Sequence, residues 1–240
     1  MAKVVLVTGS TSGIGEATAL RFAAQGDTIV FNSAHSALEG KRLVDATPGS
    51  LYVQADITNA EDCARLISEV IARYGRLDIL VNNAGATKKI PHSDLASATV
   101  EVWRQIFEVN VFGTWAMCVA SMDELRKTNG AIVNVSSLAG VRPTGSSIPY
   151  ASSKAALNHM TILLAKAVGP EVRVNAVAPG LIDTPWTADW ELERKFVSAV
   201  APLRRSGTPD DVADVILALA ATPYVTGQVV VVDGGLSTAT

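Results

Sequence analysis

VVLVTGSTSGIGEATALRFAAQG, residues 4–26, reads as a buried strand, a glycine-rich turn and an amphipathic helix in succession. Gly9, Gly13 and Gly15 punctuate the turn. With no side chains at those positions, backbone N–H groups can approach a pyrophosphate closely, and the positive end of the following helix stands behind them. The spacing, Thr8-Gly9 then three residues then Gly13-Ile14-Gly15, differs from the G-x-G-x-x-G dinucleotide fingerprint. A tight turn that binds nothing is the alternative reading of the same residues.

Outward from this unit, apolar runs of strand length alternate with helical patterns. Strands are predicted at 3–8, 28–32, 51–55, 78–82, 131–136, 172–177 and 228–232, and helices from about Gly13, Ser36, Asn59, Ala98, Tyr150 and Pro209. That alternation predicts an α/β fold, a doubly wound parallel sheet with helices on both faces. Runs such as DILV (78–81) and QVVVV (228–232) predict strands buried on both sides, because half-exposed strands would alternate. No internal repeat or low-complexity linker divides the chain, so residues 1–240 are read as one domain.

Hydrophobic residues make up 48% of the chain and charged ones 18%, enough for a core and no signature of disorder. A formal charge of −3 gives no support to a nucleic-acid partner. Cys63 and Cys118 lie in helical patterns without CxxC or ligand-spaced histidines, so they read as buried thiols in a reducing compartment and no metal site is expected. The opening MAKVVLVTGS has too short an apolar run for a signal segment, and the uncharged stretch 109–122 falls short of the ~18–20 residues that span a bilayer. The expectation is a cytoplasmic chain with no membrane partner.

Tyr150 and Lys154 stand four apart in PYASSKAAL, which sets a phenol and an ammonium on one face of a helix. Bringing a tyrosine from about 10 to near 7 takes roughly 4 kcal/mol, and one cation at ~4 Å in an effective dielectric of ~20 supplies that amount. The pair would make a proton-transfer catalyst; a surface tyrosine and a solvated lysine are the bland alternative. The fourth strand ends in Asn82-Asn83-Ala84-Gly85, small enough to let a flat ring pass, the fifth delivers Ser136 and Ser137, and the sixth runs into Pro179-Gly180 with Ile182 and Thr184 beyond. Ligands of such sheets bind beyond the carboxyl ends of the strands, where these residues fall.

With TGSTSGIG at 8–15, NNAG at 82–85, Asn110, Ser137, Tyr150 with Lys154, and PG at 179–180, the chain resembles the short-chain dehydrogenases/reductases, in their ~250-residue oxidoreductase branch, from Lys3 to Gly235. The resemblance implies a Rossmann-type sheet of seven parallel strands and hydride transfer between a nicotinamide and a ketone or secondary alcohol. It implies Tyr150 as general acid/base, Ser137 as the group holding the substrate oxygen, and Lys154 as the cation that lowers the tyrosine pKa and binds the nicotinamide ribose. It gives Asn110 the task of keeping its helix locally open and anchoring a water relay. Gly9, Ser12, Gly13, Ile14 and Gly15 would line the diphosphate and adenosine ribose, Asp56 and Ile57 the adenine, Asn83, Ala84 and Gly85 the second ribose, and Pro179, Gly180, Ile182 and Thr184 the carboxamide side. For Asp56, capping of the turn before Thr58 and Asn59 is the competing role.

At the end of the second strand, TIVFNSAHS, relatives that prefer NAD carry an acid near Ser33 and those that prefer NADP a basic residue; here neither charge is present. With nothing to repel a 2′-phosphate, and Asn32, Ser33 and His35 as donors, the reading favours NADP(H) over NAD(H). The substrate pocket is expected from Leu138–Thr144 and from 181–205, where Trp186 and Trp190, four apart on a short helix, could form an apolar wall. A small carbonyl or alcohol substrate comes first, a 3-oxoacyl thioester second because no basic cluster announces a carrier-protein dock, and a dinucleotide-sensing regulator without chemistry third. Enoyl reduction is disfavoured because those relatives space lysine six residues after tyrosine. Relatives commonly form homotetramers or homodimers, and Val111, Trp115 and Val119 could form such a helix interface or could face the sheet.

Overall fold

A computed structural model describes residues 2–239; Met1 and Thr240 lie outside the described residues. Seven strands, β1 (Val4–Val7), β2 (Thr28–Ser33), β3 (Leu51–Gln54), β4 (Ile79–Asn82), β5 (Ala131–Val135), β6 (Arg173–Pro179) and β7 (Val229–Val232), form one sheet in the order 3-2-1-4-5-6-7. Every neighbouring pair is parallel. The order reverses between β1 and β4, so their carboxyl ends open a crevice at the switch point.

Burial on both faces follows from the continuous apolar strands. Val4 and Leu6 pack with Leu66 and Val70 of α3 (Ala60–Tyr74), Met117 and Leu125 of α5 (Thr114–Thr128), and Leu164 of α6 (Ile148–Val168). Val5 and Val7 face the other way, onto Ala19 and Phe22 of α1 (Gly13–Ala24), Leu43 of α2 (Ala37–Ala46) and Ile216 of α8 (Pro209–Ala221). Local signals place the helix starts. Asn59 accepts from the N–H groups of Glu61 and Asp62 to cap α3, and Thr208 forms a reciprocal capping box with Asp211 ahead of α8, devices worth ~1 kcal/mol each.

Two helix bounds are refined and two expectations are corrected. The helix expected from about Ala98 begins at Val100, capped by Thr99: α4 (Val100–Phe107) runs into a widened turn at Glu108–Gly113 before α5. The helix expected from Tyr150 starts at Ile148, because Ser147 caps it and Pro149 fits its first turn. Trp186 and Trp190 do not share a helix; Trp186 sits in a short turn, Pro185–Thr187, and Trp190 is the N-cap of α7 (Glu191–Val200). All four valines of β7 remain partly exposed, since an edge strand pairs only with β6 and only Val230 and Val232 pack under the α8 side. A last short helix, α9 (Leu236–Ala239), takes up the C-terminal LSTA.

Candidate active site

The glycine turn is held against the end of β4 by backbone contact that only glycine permits. Gly9 has φ +60°, and a Cβ there would lie 2.8 Å from the Ala84 Cα. Thr8 Oγ1 accepts from the N–H groups of Asn83 and Ala84 at 3.0 and 3.1 Å, and the Asn83 amide donates to the carbonyls of Thr8 and Gly9 at 3.0 and 2.9 Å. Asn83, expected to border a ribose, thus turns its side chain onto the glycine turn. At the start of α1 the exposed Ser12 is in extended conformation and its hydroxyl does not cap the helix. The first-turn N–H groups therefore suit an external anion, and on this observation the residues present fit a dinucleotide diphosphate. An open groove of about 450 Å³ runs beside them, lined by Ser12, Gly13, Glu16, Pro185 and Asp210.

Gly15 carries a stability prediction. A Cβ at that position would meet the Gly9 carbonyl oxygen at 2.5 Å and the Asn83 amide at 2.4 Å. Gly15→Ala should cost about 2–3 kcal/mol and lower the thermal midpoint by roughly 5–10 °C in a melt followed by circular dichroism. An unchanged midpoint would show that the turn is free to move.

At the end of β2 the structure overturns the donor reading. Asn32 is 1% exposed; its amide donates to the carbonyls of Val53 and Ala55 and its Oδ1 accepts from Gly9 N–H. Ser33 is buried and shares a hydrogen bond with Tyr52 OH at 2.9 Å. Neither can turn to a 2′-phosphate without leaving buried backbone or hydroxyl groups unpaired. His35 is exposed and stays available.

The four residues of the proposed chemistry come together at the carboxyl ends of β4 and β5. Tyr150 stands in the first turn of α6, where Ser147 Oγ accepts from its N–H, and its phenol lies near the Ser137 hydroxyl. Ser137 Oγ also accepts from Ala139 N–H, which fixes it at the start of the turn after β5. Lys154 is 4% exposed; its ammonium donates to the Val135 carbonyl at 2.8 Å and lies 5.8 Å from the centre of the Tyr150 ring. Burial pushes the phenol above its ordinary value, with the Ser137 hydroxyl opposing it, and brings the Lys154 ammonium down to about 8. The depressed tyrosine expected from a cation at ~4 Å is therefore corrected: the ammonium is turned to a main-chain carbonyl, and desolvation outweighs it.

Asn110 lies in the widened turn between α4 and α5, fully buried. Its Oδ1 accepts from Ala86 N–H at 2.7 Å, and its amide donates to Ala86 O at 3.0 Å and to Ser153 Oγ at 2.9 Å. Ser153 in turn donates to the Tyr150 carbonyl at 2.7 Å. Ser153 thus ties Asn110 to the tyrosine's own turn. The sequence held one signal for it, its place three residues after Tyr150 on the same helix face.

Other expected contacts divide. Thr184 reaches the glycine turn, since a Cβ on Gly13 would lie 3.2 Å from its Cγ2. Gly180 packs on Asp233, and its N–H bonds to Val232 O after Pro179 closes β6. Ile182 turns its side chain into the core beside Gly207, pulled there by a parallel bridge between the two residues, so a carboxamide contact by that side chain is corrected. Ile57 is likewise buried beneath Gly113. Asp56 takes the capping role, accepting from both N–H and hydroxyl of Thr58 at 2.9 Å.

The segment 181–205 exposes Trp186, Leu192, Phe196 and Leu203. Lys89 ties the loop after β4 to it, with its ammonium 2.6 Å from Glu193 Oε1 and 5.1 Å above the centre of the Trp190 ring. Sequence reasoning passed over Lys89 because nothing local marks it.

A family model described as enoyl-(acyl carrier protein) reductase matches residues 9–237. A Streptomyces violaceoruber protein described as ketoacyl reductase 2 of the granaticin polyketide synthase is 54% identical over 238 residues, 98% of this chain and 96% of its own. The 3-oxoacyl-[acyl-carrier-protein] reductase of Thermotoga maritima is 40% identical over 245 residues, 98% of this chain and 97% of its own. Among solved structures, ElxO with NADP bound superposes with a TM-score of 0.91 at 31% identity, covering 99% of this chain and 100% of that one. With a tyrosine, a serine and a lysine gathered at the switch-point crevice of such a sheet, the chain belongs to the short-chain dehydrogenase/reductase family and is an NAD(P)-dependent oxidoreductase that interconverts a carbonyl and an alcohol.

Proposed function

We propose that the enzyme reduces the ketone of a 3-oxoacyl or polyketide-type thioester with NADPH. The observation that carries this is the gathering of Tyr150, Ser137 and the buried Lys154 at the carboxyl end of β5, in a chain similar over nearly its whole length to proteins named as ketoacyl reductases. The sequence put the thioester second for want of a basic dock; the relatives bring it forward.

When bound, the nicotinamide supplies the hydride. Ser137 Oγ donates to the substrate carbonyl oxygen and fixes its distance from Tyr150, whose hydroxyl gives its proton to the oxygen as charge develops there. The Lys154 ammonium, mostly charged at neutral pH with its value near 8, favours the phenolate that remains and takes the nicotinamide ribose hydroxyls. Asn110, through Ser153, holds the turn of α6 that aims the phenol. Gly9, Ser12, Gly13, Ile14 and Gly15 would hold the diphosphate and adenosine ribose, and Ala84, Gly85 and Thr184 would flank the nicotinamide half. NADP(H) is favoured because no carboxylate stands at the end of β2 and His35 is free to meet a 2′-phosphate.

The exposed Phe112, Trp115 and Val119 along the widened turn and α5, with Ile162 and Leu163 on α6, face away from the sheet and form the surface through which two or four copies pair. No described helix is long and apolar enough to cross a membrane. The two buried thiols, Cys63 and Cys118, suit a cytoplasmic setting.

Turnover of NADPH and NADH, at equal subsaturating concentrations, against 3-oxoacyl thioesters, simple ketones, diketones and sugars tests the reading. The thioesters with NADPH should give the highest kcat/KM, by about tenfold or more over NADH. Faster turnover with NADH would overturn the cofactor preference, and activity confined to sugars would overturn the substrate class.

A further inference from the structure

The segment between β6 and α7 leans into the cleft at two points. Thr184 touches the glycine turn, and farther on the Trp186 indole reaches the space beside Gly85. A Cβ on Gly85 would lie 3.6 Å from Trp186 Cη2, 3.7 Å from Lys154 Nζ and 3.3 Å from Asn110 Oδ1. The indole edge thus converges on the place where Gly85 and Lys154 would receive the nicotinamide ribose. The open groove beside the start of α1 is lined in part by Pro185, the residue before this tryptophan.

The turn that presents the indole is well built. Thr187 Oγ1 donates to the Ile182 carbonyl at 2.7 Å, and Arg194 pairs with Asp183 at 2.7 Å while donating to the carbonyls of Ala188 and Thr187. From across the cleft Lys89 closes on Glu193 and the Trp190 ring. Trp186 nevertheless keeps 46% of its surface exposed, so few core contacts hold it and its side chain can swing.

We propose that Trp186 is an internal competitor of the dinucleotide: its indole occupies part of the nicotinamide-ribose site, and cofactor binding requires it to be displaced, with Lys89 acting as the clasp that holds the segment closed. This rests on the dinucleotide reading of the site. A protein whose binding-competent state is one-tenth populated binds its ligand tenfold more weakly than that state alone, so removing the competitor should strengthen binding.

The test is calorimetric titration of NADP+ into wild type, Trp186→Ala, Trp186→Phe and Lys89→Ala, with no carbonyl present. The expected result is a Kd about tenfold lower in Trp186→Ala, with smaller decreases in Trp186→Phe and Lys89→Ala. A Kd equal to wild type in the tryptophan variants overturns the proposal alone, and a higher Kd also overturns it by making the indole a cofactor contact. If Trp186→Ala melts below the assay temperature, Trp186→Phe decides by the same signs. Absence of binding in every protein, wild type included, overturns the proposal together with the dinucleotide reading.

Discussion

Tyr150→Phe should lower kcat by 10²-fold or more while dinucleotide affinity stays within about twofold of wild type. The phenylalanine keeps the ring and its packing in the first turn of α6 and deletes only the hydroxyl beside Ser137. Steady-state turnover paired with calorimetric binding separates the two quantities. Full activity in this variant would remove the acid/base mechanism. The wild-type pH profile carries the sign of the same step. Reduction needs the protonated phenol, so its rate is expected to be level at neutral pH and to fall in the alkaline range; oxidation needs the phenolate, so its rate rises with pH. Burial raises the phenol's value, which places both limbs on the alkaline side. Rates that move in the same direction with pH in both assays would contradict the assignment.

The second large effect is expected at Lys154. Lys154→Met should reduce kcat by about 10²-fold and also weaken dinucleotide binding about tenfold, because one ammonium serves both the phenolate and the ribose. Stability should change little. The Val135 carbonyl loses a charged donor, at a cost of ~1–3 kcal/mol, but the penalty of burying an ammonium already lowered to about 8 is relieved as well. Because the ammonium loses its charge near 8, below the range in which the phenol ionises, the alkaline limb should stay close to its wild-type position while kcat at neutral pH falls. A loss of kcat with Kd unchanged would mean that Lys154 serves the phenol and not the dinucleotide.

Much of this site was legible because its signals are local. The spacing of Tyr150 and Lys154 places them on one helix face wherever that helix packs, and Ser147 and Pro149, which start the helix, lie beside them in the chain. The widened turn around Asn110 was foreseen only through family likeness. Nothing in VNVFG itself marks it; the amide is drawn out by Ala86 and Ser153, 24 and 43 residues away. The sequence marks Trp186 as a pocket residue but shows neither its approach to Gly85 nor that of Lys89 to Glu193, since each contact is made across the cleft.

The sequence by itself determined the seven-stranded α/β architecture, the glycine turn after β1 and the alignment of phenol with ammonium, because apolar periodicity, glycine and helix spacing act through the backbone nearby. Only the tertiary structure decided which polar groups were left for a ligand. Asn32 looks like a free donor in the sequence, yet folding brings it under the Val53 and Ala55 carbonyls, 21 and 23 residues on, where buried backbone claims its hydrogen bonds. A buried acceptor costs too much to leave unpaired, so long-range packing, not residue type, sets what faces the cleft.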